Sequence, residues 1–475
     1  MQHRRTYPLL LMLIGLWCAA GLAQADSPLA YDIDLTIDYE EGSFEGHSVI
    51  SLRNETGQPL PELFFRLFAN DATLYGTAFI TVREVAVQTE SMSFALFLDD
   101  TVIMVPLKEP LQPGESLQVD FDFFGATSTW PDGDLTGSSE TGYGLLTKSS
   151  AALTITTFYP LLAAYSEEGW ALDPSTGFGD TLMGDAADYT VRVTASEGLD
   201  VVASGDHLAE DISGPDRVTH TFVVPQARDF SVVLVEGHVP STTMLHDASI
   251  RTWFSSRHQQ ASLLANEMAV FSFQLYEQLV GPSAFRTIEL VEVPLRSAAG
   301  VEFTDLILIG SQYAAHPEDD FFPIIVSHEM AHQWFYAGVG NDVSEYPWLD
   351  ESLATYLSYE FEDAYFGESA AQRQLDQWRS AYQAATQTHD DLSIASPRYA
   401  FADSSSYSSF VYSGGALFLR ALRDLVGDEA FYQGLQTYYR DFVHAMATPL
   451  DLFGAFEEAC ACRIDALLSV FGIMP

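Results

Sequence analysis

Basic residues and cysteines are scarce in this chain of 475 residues. Only 21 residues are Lys or Arg against 66 that are Asp or Glu, and Lys108 and Lys148 are the only lysines. The resulting net charge of -45 argues strongly against nucleic-acid binding, which needs a basic face. Such an acidic surface is typical of adaptation to salt, which screens self-repulsion, and equally of a host with an acidic proteome.

The three cysteines are Cys18, Cys460 and Cys462. One residue separates Cys460 from Cys462, so a disulfide between them would be strained, and we expect both to be packed thiols. Long apolar runs are also missing after the N-terminus, where no segment reaches the ~18 uninterrupted apolar residues that span a bilayer. We therefore expect no stable membrane insertion of the mature chain.

The first 25 residues have the pattern of a secretory signal. Basic residues occupy positions 3–5, an apolar run covers 9–22, and Ala23-Gln24-Ala25 supplies the small-x-small cleavage site. We expect residues 1–25 to be removed and the mature protein to be exported, either periplasmic or secreted. An uncleaved membrane anchor is the alternative interpretation.

Two kinds of patterning divide the rest of the chain. Residues 26–240 are β-rich, and segment 30–37 alternates apolar and polar side chains as a half-buried strand does. Helical patterns dominate residues 241–475. Helices are predicted at 258–279, 319–338, 352–365, 368–387, 413–426, 428–443 and 449–459. The predicted fold class is α+β, with an N-terminal β domain over 26–240 and a mainly helical domain over 241–475.

The motif His328-Glu329-Met330-Ala331-His332 lies inside one of these predicted helices. Residues four apart on a helix differ by ~40° around its axis, so His328 and His332 project from one face. Both imidazoles can then bind one zinc ion at ~2.0–2.1 Å. Glu329 is ~100° round from His328 and can take a proton from water at the metal. A chance match on a surface helix is the alternative.

A second acidic motif supplies the third ligand. Segment 348–354, with the sequence WLDESLA, begins another predicted helix, and 18 residues separate its Glu351 from His332. Three protein ligands with a fourth position open to water define a catalytic zinc site. The sequence therefore predicts one Zn²⁺ per chain. Asp342 or Asp350 is the candidate for orienting a ligand histidine.

The motif, its spacing and segment 348–354 together resemble the aminopeptidase N and leukotriene hydrolase family of zinc metallopeptidases, the gluzincins. Segment 31–70 is similar to that family's saddle-like N-terminal β domain. Segment 299–303, AGVEF, lies where the family has Gly-Ala-Met-Glu-Asn, and segment 410–416, FVYSGGA, resembles its Tyr-x-Lys-Gly segment. The resemblance covers nearly the whole mature chain, without the large C-terminal helical domain of bigger members. It implies a saddle-like β domain followed by a thermolysin-like, mainly helical zinc-peptidase domain.

The resemblance also implies residue roles. Glu302 would bind the free α-amine of a peptide substrate, and Gly300 would let the backbone approach that peptide closely. Tyr412 would donate its hydroxyl to the oxyanion, with Tyr407 as a nearby pocket residue. The implied function is a zinc-dependent peptidase, most simply an aminopeptidase that removes N-terminal residues from peptides.

Three positions depart from the family pattern. Val301, Phe303 and Gly414 stand where the family has Met, Asn and Lys. No segment of the N-terminal domain resembles the family's glutamine that supports amine binding. Two alternative functions therefore stay open: a thermolysin-like endopeptidase that does not use Glu302, and a non-catalytic peptide-binding relative.

Overall fold

The computed structural model describes residues 27–130, 142–166, 169–180 and 182–473. The predicted signal peptide and Cys18 lie outside these residues. Within them, a region of strands is followed by a region of helices packed on one sheet. The predicted α+β class, with a β domain preceding a mainly helical one, is confirmed.

The strands of the first region come from its alternating segments. In β1, the odd-numbered residues from Leu29 to Ile37 are buried, and Asp32 and Asp34 face solvent. The strands in chain order are β1 Leu29–Asp38, β2 Ser43–Arg53, β3 Leu60–Arg66, β4 Phe79–Val87, β5 Glu90–Ser91, β6 Ala95–Phe97, β7 Val102–Leu111, β8 Ser116–Ala126, β9 Ser128–Thr129, β10 Leu146–Lys148, β11 Ala152–Ile155, β12 Leu161–Leu162, β13 Tyr165–Ser166, β14 Gly169–Trp170, β15 Ala187–Ser196, β16 Asp200–Ala203, β17 Asp206–Gly214, β18 Arg217–Ala227 and β19 Val232–Val235.

These strands form three larger sheets around one apolar core. The eight-stranded sheet has the order β17-β18-β15-β1-β2-β8-β4-β5, in which β1 and β15 run parallel. A five-stranded sheet, β16-β19-β11-β10-β9, and a four-stranded sheet, β12-β3-β7-β6, accompany it. A short one-turn helix, α1 Ala72–Tyr75, connects β3 to β4.

The second region contains a sheet of order β20-β21-β22-β24-β23, in which β21, β22 and β24 are parallel and β23 is an antiparallel edge. Its first strand spans the predicted boundary at residue 240. The strands are β20 His238–Met244, β21 Ser249–Ser255, β22 Thr287–Val293, β23 Gly300–Phe303, β24 Leu306–Gly310, β25 Gly340–Asn341 and β26 Met446–Ala447. The helices are α2 Gln259–Leu279, α3 Ser311–Ala314, α4 Phe321–Ala331, α5 Trp348–Phe366, α6 Glu368–Thr388, α7 Ser404–Tyr407, α8 Gly415–Val426, α9 Asp428–Phe442, α10 Pro449–Cys460 and α11 Asp465–Val470.

Helix α4 is shorter than the predicted span 319–338. The chain leaves the helix at His332 because Tyr336 has a φ of 116° and donates its backbone N–H to Val339. The apolar residues after the helix, such as Trp334, are fully buried. These residues pack into the core of the domain from a segment that is not helical. Because a short run of buried apolar residues resembles a helical pattern, the sequence predicted too long a helix.

The expectation that Cys460 and Cys462 are packed thiols is wrong, because the two form a disulfide. Helix α10 ends at Cys460, and Ala461 then adopts a left-handed conformation with a φ of 49°. This turn leaves the two Cα atoms 5.2 Å apart, which is within the usual range for a disulfide.

No helix of the described residues combines the length and apolar character needed to cross a membrane.

Arg228, which directly follows β18, joins the two regions. Its side chain is buried, and burial lowers the pKa of its guanidinium to about 10. The guanidinium donates to the carbonyl oxygens of Tyr336 at 2.6 Å and Ala445 at 2.7 Å, and to those of Gly184 and Gly338 at 3.2 Å. Without the guanidinium, each of these buried carbonyl oxygens would lose a hydrogen-bond donor, and an unsatisfied buried acceptor lowers the stability of the fold.

Replacing this guanidinium tests the connection between the regions. Arg228→Met keeps the apolar part of the side chain but leaves several buried carbonyl oxygens without their hydrogen-bond donor. We therefore expect a loss of about 3 kcal/mol in the free energy of unfolding. The matched control is Arg192→Met, which breaks the exposed ion pairs with Asp32 and Asp34 and should cost ~1 kcal/mol or less. Urea denaturation of both variants measures the difference. Equal losses would contradict this account of Arg228.

Candidate metal centre and substrate pocket

Helices α4 and α5 bring the three predicted ligands together. His328 lies in the last turn of α4, His332 is the residue that ends it, and Glu351 lies in the first turn of α5. The Nε2 atoms of the two histidines are 3.2 Å apart. Glu351 Oε2 is 3.3 Å from His328 Nε2 and 3.5 Å from His332 Nε2. Metal bonds of ~2.0–2.1 Å at tetrahedral angles separate ligand atoms by ~3.3–3.5 Å, so the triad fits zinc.

The electrostatics of Glu351 agree with this fit. Burial by itself raises the pKa of this carboxyl, but the imidazoles of His328 and His332 bring the pKa well below its usual range. Glu351 is therefore ionised, as a metal ligand must be. Its Oε2 is buried and accepts no hydrogen bond, so this atom has a lone pair available for a metal.

A backbone carbonyl orients His332. His332 Nδ1 lies 2.9 Å from the carbonyl oxygen of Phe335, so Nδ1 donates and Nε2 keeps its lone pair for the metal. The prediction that Asp342 or Asp350 orients a ligand histidine is wrong. Asp342 accepts backbone N–H groups of its own turn, and Asp350 Oδ1 accepts the backbone N–H of Glu351.

Tyr412 contacts two of the ligands. Its hydroxyl donates to Glu351 Oε1, and its ring stacks on that of His328 with centroids 5.8 Å apart. Residues Ser408–Gly414, which contain it, form a π-helical turn that leads directly into α8, so the helix predicted at 413–426 begins two residues later, at Gly415. Such turns are rare and occur frequently at functional sites.

Close packing against α5 fixes the position of this π-helical turn. Ser352, next to Glu351 in sequence, donates its hydroxyl to the carbonyl oxygen of Val411 at 2.7 Å. A Cβ atom at Gly415 would lie 1.7 Å from Ser352 Oγ, so only glycine allows this approach. The contact sets the distance between Tyr412 and the ligand Glu351.

Glu329 is buried beside the triad, and its Oε2 has no hydrogen-bond partner. Burial, followed by the nearby Glu302 carboxylate, raises the pKa of Glu329 well above its usual value. A Cβ atom at Gly300 would lie 2.5 Å from Glu329 Cγ and Oε1. Gly300 was expected to admit a peptide, and the structure shows that it gives room to the side chain of Glu329.

Glu302 lies on the edge strand β23, and its carboxylate contacts both Glu329 and Asp180. Asp180 belongs to the first region, and its Oδ2 is buried without a hydrogen-bond partner. Burial raises the pKa values of Asp180 and Glu302 well above the usual range; the negative charge of Glu351 adds to the effect at Asp180, and that of Asp180 adds to it at Glu302. Sequence reasoning missed Asp180, because it looked for a glutamine and no motif surrounds this residue.

Gln333 connects the strand of Glu302 to the zinc-binding helix. It is fully buried, directly after His332. Its Oε1 accepts the backbone N–H of Asp305 at 3.0 Å, and its Nε2 donates to the carbonyl oxygen of Phe303 at 3.1 Å. This pair of bonds fixes the β23–β24 turn against the end of α4, and so holds Glu302 beside Glu329.

A cavity of about 480 Å³ opens onto these groups. Both regions line it, and its aromatic residues are Tyr75, Tyr143, Phe178, Phe303, Phe321, Tyr336, Trp378, Tyr407 and Tyr412. It contains all the predicted catalytic and substrate-binding residues as well as His328 and Glu351. The pocket thus combines aromatic and aliphatic side chains with a cluster of acids at the metal centre, and such a mixture of apolar lining and a few polar groups is usual for a ligand-binding site.

The departures from the family pattern lie around the pocket. Val301 and Phe303 both line it, and Phe303, which is 3% exposed, also packs into the apolar core. Gly414 lies against Tyr382, whose ring atoms would be 2.8 Å from an added Cβ. A lysine at this position would therefore need Tyr382 to move.

Comparisons with known proteins identify this arrangement. Residues 274–471 match the family model described as the peptidase family M1 domain. The chain is 23% identical over 469 residues to Aminopeptidase M1-B of Oryza sativa subsp. japonica, covering 95% of this chain and 50% of that protein. It is 27% identical over 210 residues to Tricorn protease-interacting factor F2 of Thermoplasma acidophilum, covering 40% of this chain and 26% of that protein. The chain thus spans about half the length of these relatives or less.

The fold also matches a solved structure, the M1 zinc metallopeptidase from Deinococcus radiodurans. The TM-score is 0.66 at 20% sequence identity, and the match covers 94% of this chain and 93% of the other. Both regions therefore have the fold of that two-region enzyme. Together with the matched domain, this confirms the resemblance found in the motifs: residues 274–471 match the peptidase family M1 domain, and the chain has the fold of an M1 zinc metallopeptidase.

Proposed function

We propose that this protein is a zinc-dependent aminopeptidase that removes N-terminal residues from peptides. The observation that carries the proposal is the pair of carboxylates beside the metal centre, Asp180, whose Oδ2 is buried, and the buried Glu302. Among the described residues, no Lys or Arg side chain forms an ion pair with either carboxylate, although the charge of His332 acts on both and that of Arg398 acts on Asp180. Buried carboxylates without a cationic partner are costly, and the ammonium group of a peptide N-terminus would supply that partner.

The relatives support the proposal. Those from rice are named aminopeptidases, and a mutant of the Deinococcus radiodurans metallopeptidase was solved bound to the substrate Tyr-Ser-Ala. In that neighbour, the fold therefore binds a short peptide substrate. In the present chain, the aromatic lining of the pocket suits an apolar or aromatic first side chain.

His328, His332 and Glu351 would hold one zinc ion. Zinc in such a site lowers the pKa of water to about 7 and polarises a carbonyl. Asp180 and Glu302 bind the substrate ammonium and so place the first peptide bond at the metal centre. The aromatic walls exclude water from this end of the peptide.

Glu329 acts as the general base. It takes a proton from the attacking water and delivers it to the leaving amine. Its raised pKa suits this exchange, because a carboxyl with a pKa nearer neutrality both accepts and returns a proton readily. Tyr412 donates its hydroxyl to the oxygen of the scissile carbonyl as negative charge develops there.

We also propose that the protein works outside the cytoplasm, because residues 1–25 have the signal-peptide pattern. The disulfide between Cys460 and Cys462 supports this location, since disulfides persist mainly in oxidising compartments.

The amine-binding role is tested with paired substrates, aminoacyl and acetyl-aminoacyl fluorogenic compounds. The wild type should cleave the free-amine substrates far faster than the capped ones. Glu302→Ala should lower kcat/KM on free-amine substrates about 100-fold, because a charge-assisted hydrogen bond is worth ~1.5–3 kcal/mol. It should change capped substrates little. Glu329→Gln should lower both rates by ~10²–10⁴-fold with zinc retained.

Other outcomes distinguish the alternatives. Equal rates on free and capped substrates, or internal cleavage of a long capped peptide, would make the protein an endopeptidase. Failure of the zinc-loaded wild type to cleave any peptide would favour a non-catalytic binding protein. Substantial activity in Glu329→Gln would contradict the role of Glu329 as base.

A methyl group at Gly300 tests the space that this residue leaves for Glu329. Gly300→Ala should displace the carboxylate and lower kcat/KM about 100-fold, since a 1 Å misplacement can cost that much. The zinc content should stay at one per chain, because the ligands lie on α4 and α5. The control is Gly454→Ala in α10, where an added Cβ would meet nothing within 4 Å. Unchanged kcat/KM in Gly300→Ala would refute this role.

A further inference from the structure

A second group of metal-ligating side chains lies in the first region, on the hairpin of β17 and β18. His207 pairs with Phe222 and Glu210 pairs with His220, but the register shifts between His207 and Ala209. Residues three apart on a regular strand face opposite sides of the sheet. The β-bulge adds one residue, so His207 and Glu210 face the same side, together with His220.

The three side chains are close enough to share one ion. One ligand atom from each of His207, Glu210 and His220 lies within 4.8 Å of the others. His207 Nε2 and His220 Nδ1 are 3.4 Å apart, which is the separation of two ligand atoms bonded at ~2.0–2.1 Å to one tetrahedral ion. Glu210 is exposed, so its carboxylate can rotate to complete the site.

A buried phenylalanine holds both imidazole rings. Phe222 is 3% exposed. The ring of His207 stacks on it with centroids 4.9 Å apart, and that of His220 with centroids 6.4 Å apart. The rings are thus partly preorganised for a metal, which reduces the entropy lost on binding.

Strand β17 has little else to hold it in place. It is the edge of the eight-stranded sheet and pairs only with β18 among the described residues. Nearly all its side chains are exposed, including Leu208 at 62% and Ile212 at 89%. Little apolar burial therefore stabilises this strand. A metal ion bound by side chains of both β17 and β18 would add stability that apolar packing does not supply.

We propose that His207, Glu210 and His220 bind a divalent transition-metal ion, such as Zn²⁺, Ni²⁺ or Cu²⁺, which fastens the edge strand β17 to β18. Two imidazoles and a carboxylate are suitable ligands for these ions. The net charge of -45 raises the local concentration of cations at the surface. This site is separate from the proposed catalytic zinc and does not depend on the peptidase activity.

The test counts metal ions in the full-length protein by equilibrium dialysis against Zn²⁺ or Ni²⁺, with elemental analysis. The double variant His207→Ala/His220→Ala should bind one ion fewer per chain than the wild type. Its affinity at this site should fall at least ~100-fold, since loss of even an outer-shell partner of a ligand costs 10–100-fold. The control His246→Ala/His316→Ala removes two histidines elsewhere and should bind as the wild type does.

Hydrogen exchange of the β17 amides tests whether the bound metal ion holds β17 against β18. At free metal ten times the Kd, opening of this strand should be about tenfold rarer in the wild type and unchanged in the double variant. Glu210→Gln, a nearly isosteric change, tests the site without loss of a ring from the hairpin, and it should bind the extra ion at least tenfold more weakly. Equal metal content in wild type and double variant would overturn the site. Metal-independent exchange of β17 would overturn its fastening role.

Discussion

The concentration of buried negative charge between the two regions is the constraint on which the rest of the structure depends. Asp180, Glu302, Glu329 and Glu351 are enclosed around two histidines. Carboxylates enclosed in this way destabilise a fold unless cations or hydrogen bonds compensate them. In the proposed enzyme a zinc ion and the substrate ammonium provide this compensation, and the same two cations are what the reaction requires.

Much of the surrounding structure keeps this charge in place. The carbonyl of Phe335 orients His332, and the next residue, Tyr336, accepts a hydrogen bond from the buried Arg228. Gln333 fixes the strand of Glu302 to the same loop. The short loop after α4 thus connects the metal ligands, the amine-binding strand and the first region. Its backbone is therefore as important to the site as the side chains that bind the metal.

The sequence predicted those features that depend on short-range spacing. The motif at 328–332 places two histidines on one helical face by geometry alone, and the alternation in β1 predicted its buried side. Contacts between distant segments were not predictable in this way. Asp180 reaches the site only because the two regions pack together, and the steric role of Gly300 depends on Glu329, 29 residues further along the chain.

Two errors have the same origin. The apolar residues after α4 were assigned to a helix because burial and helical periodicity look alike in a short apolar run. The cysteines at 460 and 462 were assigned as thiols because the spacing of two residues alone does not reveal the left-handed turn at Ala461. In both cases the local backbone conformation, set by packing around it, decided the outcome.

The central claim is that one zinc ion is bound by His328, His332 and Glu351, although Glu302, Glu329 and His332 form an overlapping group of possible ligands. Anomalous diffraction at the zinc edge from crystals of the zinc-loaded protein distinguishes the two groups directly. The account predicts a single strong peak about 2.0–2.2 Å from His328 Nε2, His332 Nε2 and a Glu351 oxygen. A peak bonded to Glu302 and Glu329 instead would contradict it, because the amine-binding carboxylate and the general base would then both be metal ligands.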